Sequence, residues 1–407
     1  MKSLIQQVTL FAPGHAKHLT IGNAIVEDGH LTDFGKNITE KKFDKLIKGK
    51  GHYLCVGFTD VRAHLGEPGN ETKETLLSGM KAAIHGGFAR VAVVPSSNPL
   101  PDTKAVIQQM QELNTAEFQF LPYGTISKNM EGKQLSEFND LKSSGAIGFT
   151  DNTQETSTEL MMRALEYSKQ VNGKIFSFPN DPGVHPKAQM HEGLTSTKMG
   201  LKGSSHHHES IRIFRDLSLA AYSEAPIHFF SVSTAEGIDL IRKAKRSGQK
   251  VTCSIACHQL TFTDEDLIDF DSNKKVWPPH RSFKTNKALI KGILDGTVDA
   301  IESQHTPMEI EHKELEFEYA DFGMNTLQHA FLIAFDRLKD ELPIEIILGL
   351  FTEGPSRSLN IPNVRPEENC ILFNPKGVTE ISVENWFSNT KNTPFMNHGL
   401  SGSINLI

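Results

Sequence analysis

Asp60-Val61-Arg62-Ala63-His64-Leu65-Gly66-Glu67-Pro68-Gly69 is the stretch whose residue types come nearest to chemistry. An Asp-x-His-x-His run at the end of a barrel strand aims two imidazoles at one metal ion. Here the first of those places holds Arg62. A guanidinium stays charged and has no lone pair to give a cation. The run reads as a metal-binding pattern with one ligand exchanged for a positive charge.

The elements that must position this run repeat one grammar. A short β-branched or aromatic segment ends in polar residues, and an amphipathic helix follows. Strands are expected at 56–61, 90–94, 118–122, 146–150, 174–178, 226–230, 250–254 and 299–302. Helices are expected at 75–85, 103–113, 158–171, 211–222 and 235–246. Eight strands alternating with helices predict an α/β fold, a (β/α)8 TIM barrel. Residues 257–284 form a long irregular insertion, and long loops on such barrels commonly carry the active site. The two ends carry short strand-like runs at 4–11, 24–27, 370–373, 379–383 and 404–407. Segments 1–52 and 355–407 are expected to pair into one small β-sandwich beside a barrel spanning 53–354.

The chain has 407 residues, enough for a large core, with 38% hydrophobic and 22% charged residues. Its net charge of −7 is mixed along the sequence, which argues against a nucleic-acid groove or a membrane-surface patch. The cysteines Cys55, Cys253, Cys257 and Cys370 are too scattered for a disulfide framework, so a reducing, cytoplasmic setting is expected. Residues 1–16 lack a signal-peptide pattern, and no apolar run reaches the roughly 18 residues of a membrane span.

Chemistry in such barrels sits at the C-terminal ends of the strands. Those places hold Arg62 and His64, then Ser96, Asp151, Phe178, Ser231, His258, and Gln304 with His305. A two-metal hydrolytic site needs several imidazoles and carboxylates facing one cavity. This set is too thin for two metals.

The chain resembles the dihydroorotases of the amidohydrolase superfamily, in their longer bacterial form, over nearly its whole length. Val56-Gly57-Phe58-Thr59-Asp60 with His64-Leu65-Gly66-Glu67-Pro68-Gly69 resembles the family's opening metal motif. Pro95-Ser96-Ser97-Asn98-Pro99 resembles its Met-Pro-Asn-Thr-x-Pro loop. Met190-His191-Glu192-Gly193, Leu201-Lys202-Gly203, Val232-Ser233-Thr234-Ala235, Lys275-Val276-Trp277-Pro278-Pro279 and Asn392-Thr393-Pro394-Phe395 resemble further family segments in the same order. The resemblance implies a barrel with a small β-sandwich, bound zinc, and reversible closure of carbamoyl aspartate to dihydroorotate. Carried across one position at a time, the opening histidine pair falls on Arg62 and His64, and the bridging carboxylate on Asp151. The later histidines fall on Phe178 and Ser231, and the aspartate that is both ligand and general base falls on Gln304. The substrate-gripping arginine falls on Gly66, the loop asparagine on Ser96, a second asparagine on Trp277 and a histidine on Met308. At most His64 and Asp151 would remain to touch a metal. Phenylalanine offers no donor atom, and a neutral amide is no proton acceptor near neutral pH.

Each residue also has an ordinary reading. Arg62 either replaces the metal's charge by bridging to Asp151, since a buried acid needs a partner, or points to solvent; the bridge is preferred. His64 is expected to be a hydrogen-bonded relic, and His258 and His305 ordinary loop histidines. Cys253, Cys257 and His258 are too few for a structural zinc. His206-His207-His208 is read as an exposed helix start, with Ser205 as cap and Glu209 in the first turn. Phe178 and Trp277 are expected to fill volume vacated by metal and substrate. Glu67, Glu192 and Glu302 are the remaining acids near the mouth, with no spacing that demands catalysis. The expectation is a dihydroorotase fold without the parent chemistry and without a cofactor, kept as a scaffold or regulatory partner. Resemblance to other inactive chains of this kind points to aspartate transcarbamoylase as the partner, and a homo-oligomer is also expected. The alternative is an active, zinc-dependent dihydroorotase or related cyclic amidohydrolase with unusual ligands.

Overall fold

The computed structural model describes residues 1–38 and 42–407. Parallel ladders join Phe58–Ala63 to Phe88–Val93 and then to Gln119–Pro122. A second set runs Ile175–Ser177, Ile227–Phe229, Val251–Ala256, Ala300–Glu302. Bridges from Phe149 to Gly124 and to Ile175 join the two sets on one side, and a bridge from Ala63 to His305 closes them on the other. The result is the eight-stranded barrel. Position 149 is all that remains of the strand expected at 146–150. Each neighbour offers Phe149 one bridge only, so no ladder propagates.

The helices start where local chemistry starts them. Thr75 accepts the Ser78 amide N–H and caps Leu76–His85, while Ser157 caps Thr158–Gln170 and Thr234 caps Ala235–Arg246. His207–Ser223 begins four residues before the expected 211. Inside the barrel, Val61, Ala92, Tyr123, Phe176, Phe178 and Phe230 form an apolar cluster beneath the mouth.

Among the described residues the chain ends form one seven-stranded sheet. Lys2–Phe11 pairs with Ile21–Glu27, Lys45–Lys48 and Tyr53–Val56, and Cys370–Glu380 joins Tyr53–Val56 to Gly399–Leu406. This sheet wraps its own core of Ile5, Val8, Leu10, Val26, Leu54 and Leu372. Its reach extends past the expected boundary at 52, because Tyr53–Val56 hydrogen-bonds to strands from both ends. The helix Glu353–Leu359 instead packs on barrel strands Phe58–Ala63 and Ala300–Glu302, so the C-terminal boundary also falls later than 355. Among the described residues no helix is long and apolar enough to cross a membrane.

Candidate functional site

Arg62 leaves the first barrel strand pointing inward and is 1% exposed, which removes the solvent-facing reading. It does not bridge to Asp151. One guanidinium nitrogen lies 3.9 Å from the Glu302 carboxylate and donates to Ser231 Oγ at 3.4 Å, and the other donates to Asn152 Oδ1 at 3.0 Å. The guanidinium carbon sits 4.7 Å from the centre of the Phe178 ring and 5.7 Å from that of Phe230, within cation–π range. Phe178 therefore stacks on the Arg62 cation. Glu302 is fully buried and also receives the hydroxyls of Ser231 and Ser254. Burial pushes its carboxyl up, and Arg62 opposes that shift.

Asp151 faces away from this pair. Its carboxylate accepts the amide N–H groups of Ile126 (2.7 Å) and Ser127 (2.9 Å) and the Ser127 hydroxyl (2.5 Å). The loop after the third barrel strand curls over the acid and satisfies it locally, so a distant cation is not needed. Burial still raises its pKa, with the Ser127 and Ile126 bonds opposing. Asp60 is likewise buried, held by the Ser303 hydroxyl and amide, and burial pushes it up to about 7.

His64 meets the carbonyl of His305 through Nδ1 at 3.1 Å and the Asn152 side-chain amide through Nε2 at 2.9 Å. A carbonyl only accepts and an amide nitrogen only donates, which sets the tautomer as Nδ1–H. The Nε2 lone pair therefore faces an N–H donor. Burial, then the Arg62 charge, pushes its pKa down to about 3.

Ser231 and Gln304 both hold left-handed backbone, with φ of 48° and 51°. For non-glycine residues that conformation costs roughly 1–2 kcal/mol each. The turns bring the two side chains together: Gln304 Nε2 donates to Ser231 Oγ at 3.0 Å and to the Trp277 carbonyl at 2.9 Å. Gly66 is fixed by a close approach, since a Cβ there would lie 1.9 Å from the Asn70 carbonyl oxygen. Ser96 turns its hydroxyl back onto the carbonyls of Leu65 and Val94. A cavity of about 330 Å³ remains at the mouth, with Arg62, His64 and Gln304 at its polar end and Trp277, Met308 and Phe322 among its apolar walls.

The structure revises several readings of the histidines and acids. His305 is no loop histidine: it is fully buried, accepts the Thr326 and Leu327 amides through Nδ1, and sets Nε2 3.4 Å from Glu74. His258 is also buried, edge-on to His280 at 5.3 Å, and burial pushes its pKa to about 4. His208 is buried rather than at an exposed helix start. It contacts Ser204 Oγ and the Ser205 carbonyl, and Arg281 donates to its Nε2. Glu209 does not merely favour its own helix. It accepts the amides and hydroxyls of Ser233 and Thr234, at the start of the next one. Glu67 accepts the Leu76 amide at 2.7 Å. Cys253 and Cys257 turn to separate carbonyls, those of Thr297 and Ser303. Asn152, Glu74, Glu209 and Arg281 were missed as site or network residues. Asn152 alone carried a signal, adjacency to Asp151.

This architecture is shared with solved hydantoinases and dihydropyrimidinases. An L-hydantoinase from Arthrobacter aurescens superposes with a TM-score of 0.84 at 18% identity, covering 98% of this chain and 93% of its own. A dihydropyrimidinase from Brevibacillus agri gives 0.80 at 18% identity over 99% and 93%. The fold is thus the barrel with appended sheet that these proteins share. A family model described as dihydro-orotase-like matches residues 51–237. A dihydroorotase of Syntrophus aciditrophicus is 36% identical over 93% of this chain and 91% of its own length, and one of Carboxydothermus hydrogenoformans is 33% identical over 93% and 90%. The chain belongs to the dihydroorotase-like family.

Proposed function

We propose that this chain is a dihydroorotase-family protein of pyrimidine biosynthesis that has given up metal-dependent ring closure and acts as a scaffold or regulatory subunit. The observation that carries this reading is Arg62, a buried cation standing in the first ligand place and held there by Glu302, Ser231 and Asn152. The zinc implied by the family does not fit the residues present. Positions 178, 231 and 304 hold Phe, Ser and Gln, His64 Nε2 is taken by an amide, and Asp151 is turned onto backbone N–H groups. Among the described residues no group of three or more His, Cys, Asp or Glu is arranged to hold a metal ion. The substrate grip has changed in the same direction, because Gly66 leaves no room for a longer side chain. All four cysteines are free and buried, in keeping with a reducing cytoplasm. The partner we propose is aspartate transcarbamoylase.

The second reading is an active dihydroorotase, favoured by the identity to relatives of that name over most of their length. One preparation separates the two. Elemental analysis with a dihydroorotate hydrolysis assay should return zinc far below one per chain and no rate above blank. Stoichiometric zinc with turnover would establish the second reading. Co-migration with aspartate transcarbamoylase on size exclusion tests the partner, and independent elution would remove it.

A further inference from the structure

The helix His207–Ser223 lies between Thr158–Gln170 and Ala235–Arg246 on the barrel's outer ring. Its neighbours present charge outward: Glu159, Arg163, Glu166 and Lys169 on one, Glu236, Asp239, Lys243 and Arg246 on the other. The exposed positions of the middle helix itself are His207, Ile211, Phe214, Ser218, Ala221 and Tyr222, which include no carboxylate, lysine or arginine. Phe214 is 63% exposed and Tyr222 77%. Two large aromatic rings eight residues apart, with Ile211 beside them, give this uncharged face the apolar character that interaction surfaces use.

We propose that this face joins two copies of the chain, with the two helices antiparallel and the two-fold axis at Ser218. The sequence is self-complementary about that point. Phe214 and Tyr222 each lie four residues from Ser218, about 6 Å along the axis, so a half-turn sets each copy's Phe214 against the other's Tyr222. The small serine permits close approach at the crossing. Lys169 donates to the Ser223 carbonyl and pairs with Glu224, which aligns the flanking helix with this one end to end. The same half-turn then sets the flanking helix against its own copy, where Arg163 and Glu166 offer opposite charges across the axis. The aromatic stripe alone falls short of the roughly 800 Å² per partner of a stable interface, so this charged flank belongs to it.

Sedimentation of the full-length chain in the micromolar range should give twice the chain mass. Phe214→Glu and Tyr222→Lys should each reduce it to the single-chain mass. The double variant should restore the dimer, because each carboxylate then faces the other copy's ammonium. A wild-type monomer, or single variants that remain dimeric with unchanged circular dichroism, would overturn the proposal. Failure of the double variant to recover would overturn the antiparallel arrangement.

Discussion

Arg62 in the barrel interior and Arg281 beside the mouth are both 1% exposed, yet they are held differently. Arg281 spends all three nitrogens: Nε donates to Ser233 Oγ at 3.1 Å, and the others to the Ser204 carbonyl, His191 and His208 at 3.2–3.4 Å. Burial and the nearby guanidinium keep those two histidines neutral, with pKa values pushed to about 4 and about 3, so each can accept. Glu209 does most to hold Arg281 charged, and it is saturated by the backbone and hydroxyls at 233–234. Among the described residues Arg62 Nε has no hydrogen-bond partner, and the guanidinium meets its carboxylate at 3.9 Å and leans on two aromatic faces. The frame around the mouth is closed by directional bonds, while the centre is filled by a cation on rings.

The sharpest break of that contrast is to rebuild the centre. Arg62→His, Phe178→His, Ser231→His and Gln304→Asp together should bring zinc to about one per chain by elemental analysis, since the frame still points these positions into one cavity. On the reading proposed above, dihydroorotate hydrolysis should be absent from that variant, because a Cβ at position 66 would lie 1.9 Å from the Asn70 carbonyl oxygen. Turnover in that variant would show that Gly66 is not limiting.

Next in size is Glu209→Ala. It strips four donors and leaves Arg281 without its main balancing charge, for a loss of about 3–5 kcal/mol in urea unfolding. Arg62→Met should cost about 2–3 kcal/mol near pH 8 and less near pH 5, where the unpaired Glu302 can take a proton. Adding Glu302→Leu should recover most of that loss. Equal losses at both pH values would mean the arginine works by packing, not by charge.

Asp60 sets a pH dependence of its own. Its folded pKa of about 7 lies above the ordinary value of 3.8, so the folded chain holds a proton that the unfolded chain has released. The associated stability is present in full below pH 4 and is lost as pH rises through 7, by about 4 kcal/mol in total. Asp60→Asn should flatten that slope in urea titrations at pH 5 and pH 8. The smallest effect belongs to His207→Ala on the exposed side of its helix, within about 0.5 kcal/mol. His208→Ala, on the buried side, should cost about 1–3 kcal/mol by opening bonds to Ser204, Ser205 and Arg281.

Much of this protein could be read from local sequence. The helices expected at 75–85, 158–171 and 235–246 and the βα periodicity of the barrel were legible, because side-chain periodicity acts within a few residues. The guanidinium at 62 was equally plain, being a matter of residue type. What sequence left open were choices among partners. Arg62 could have bridged to Asp151 by chemistry alone. Barrel closure between the first and last strands put Glu302 beside it instead, while the 126–127 turn had already satisfied Asp151. The same closure buried His305 against Glu74, and helix packing buried His208 while leaving His207 in water. Residue type dictates which bonds are possible. Only the three-dimensional arrangement, which brings distant segments within a few ångströms and excludes water from some pairs and not others, decides which are made.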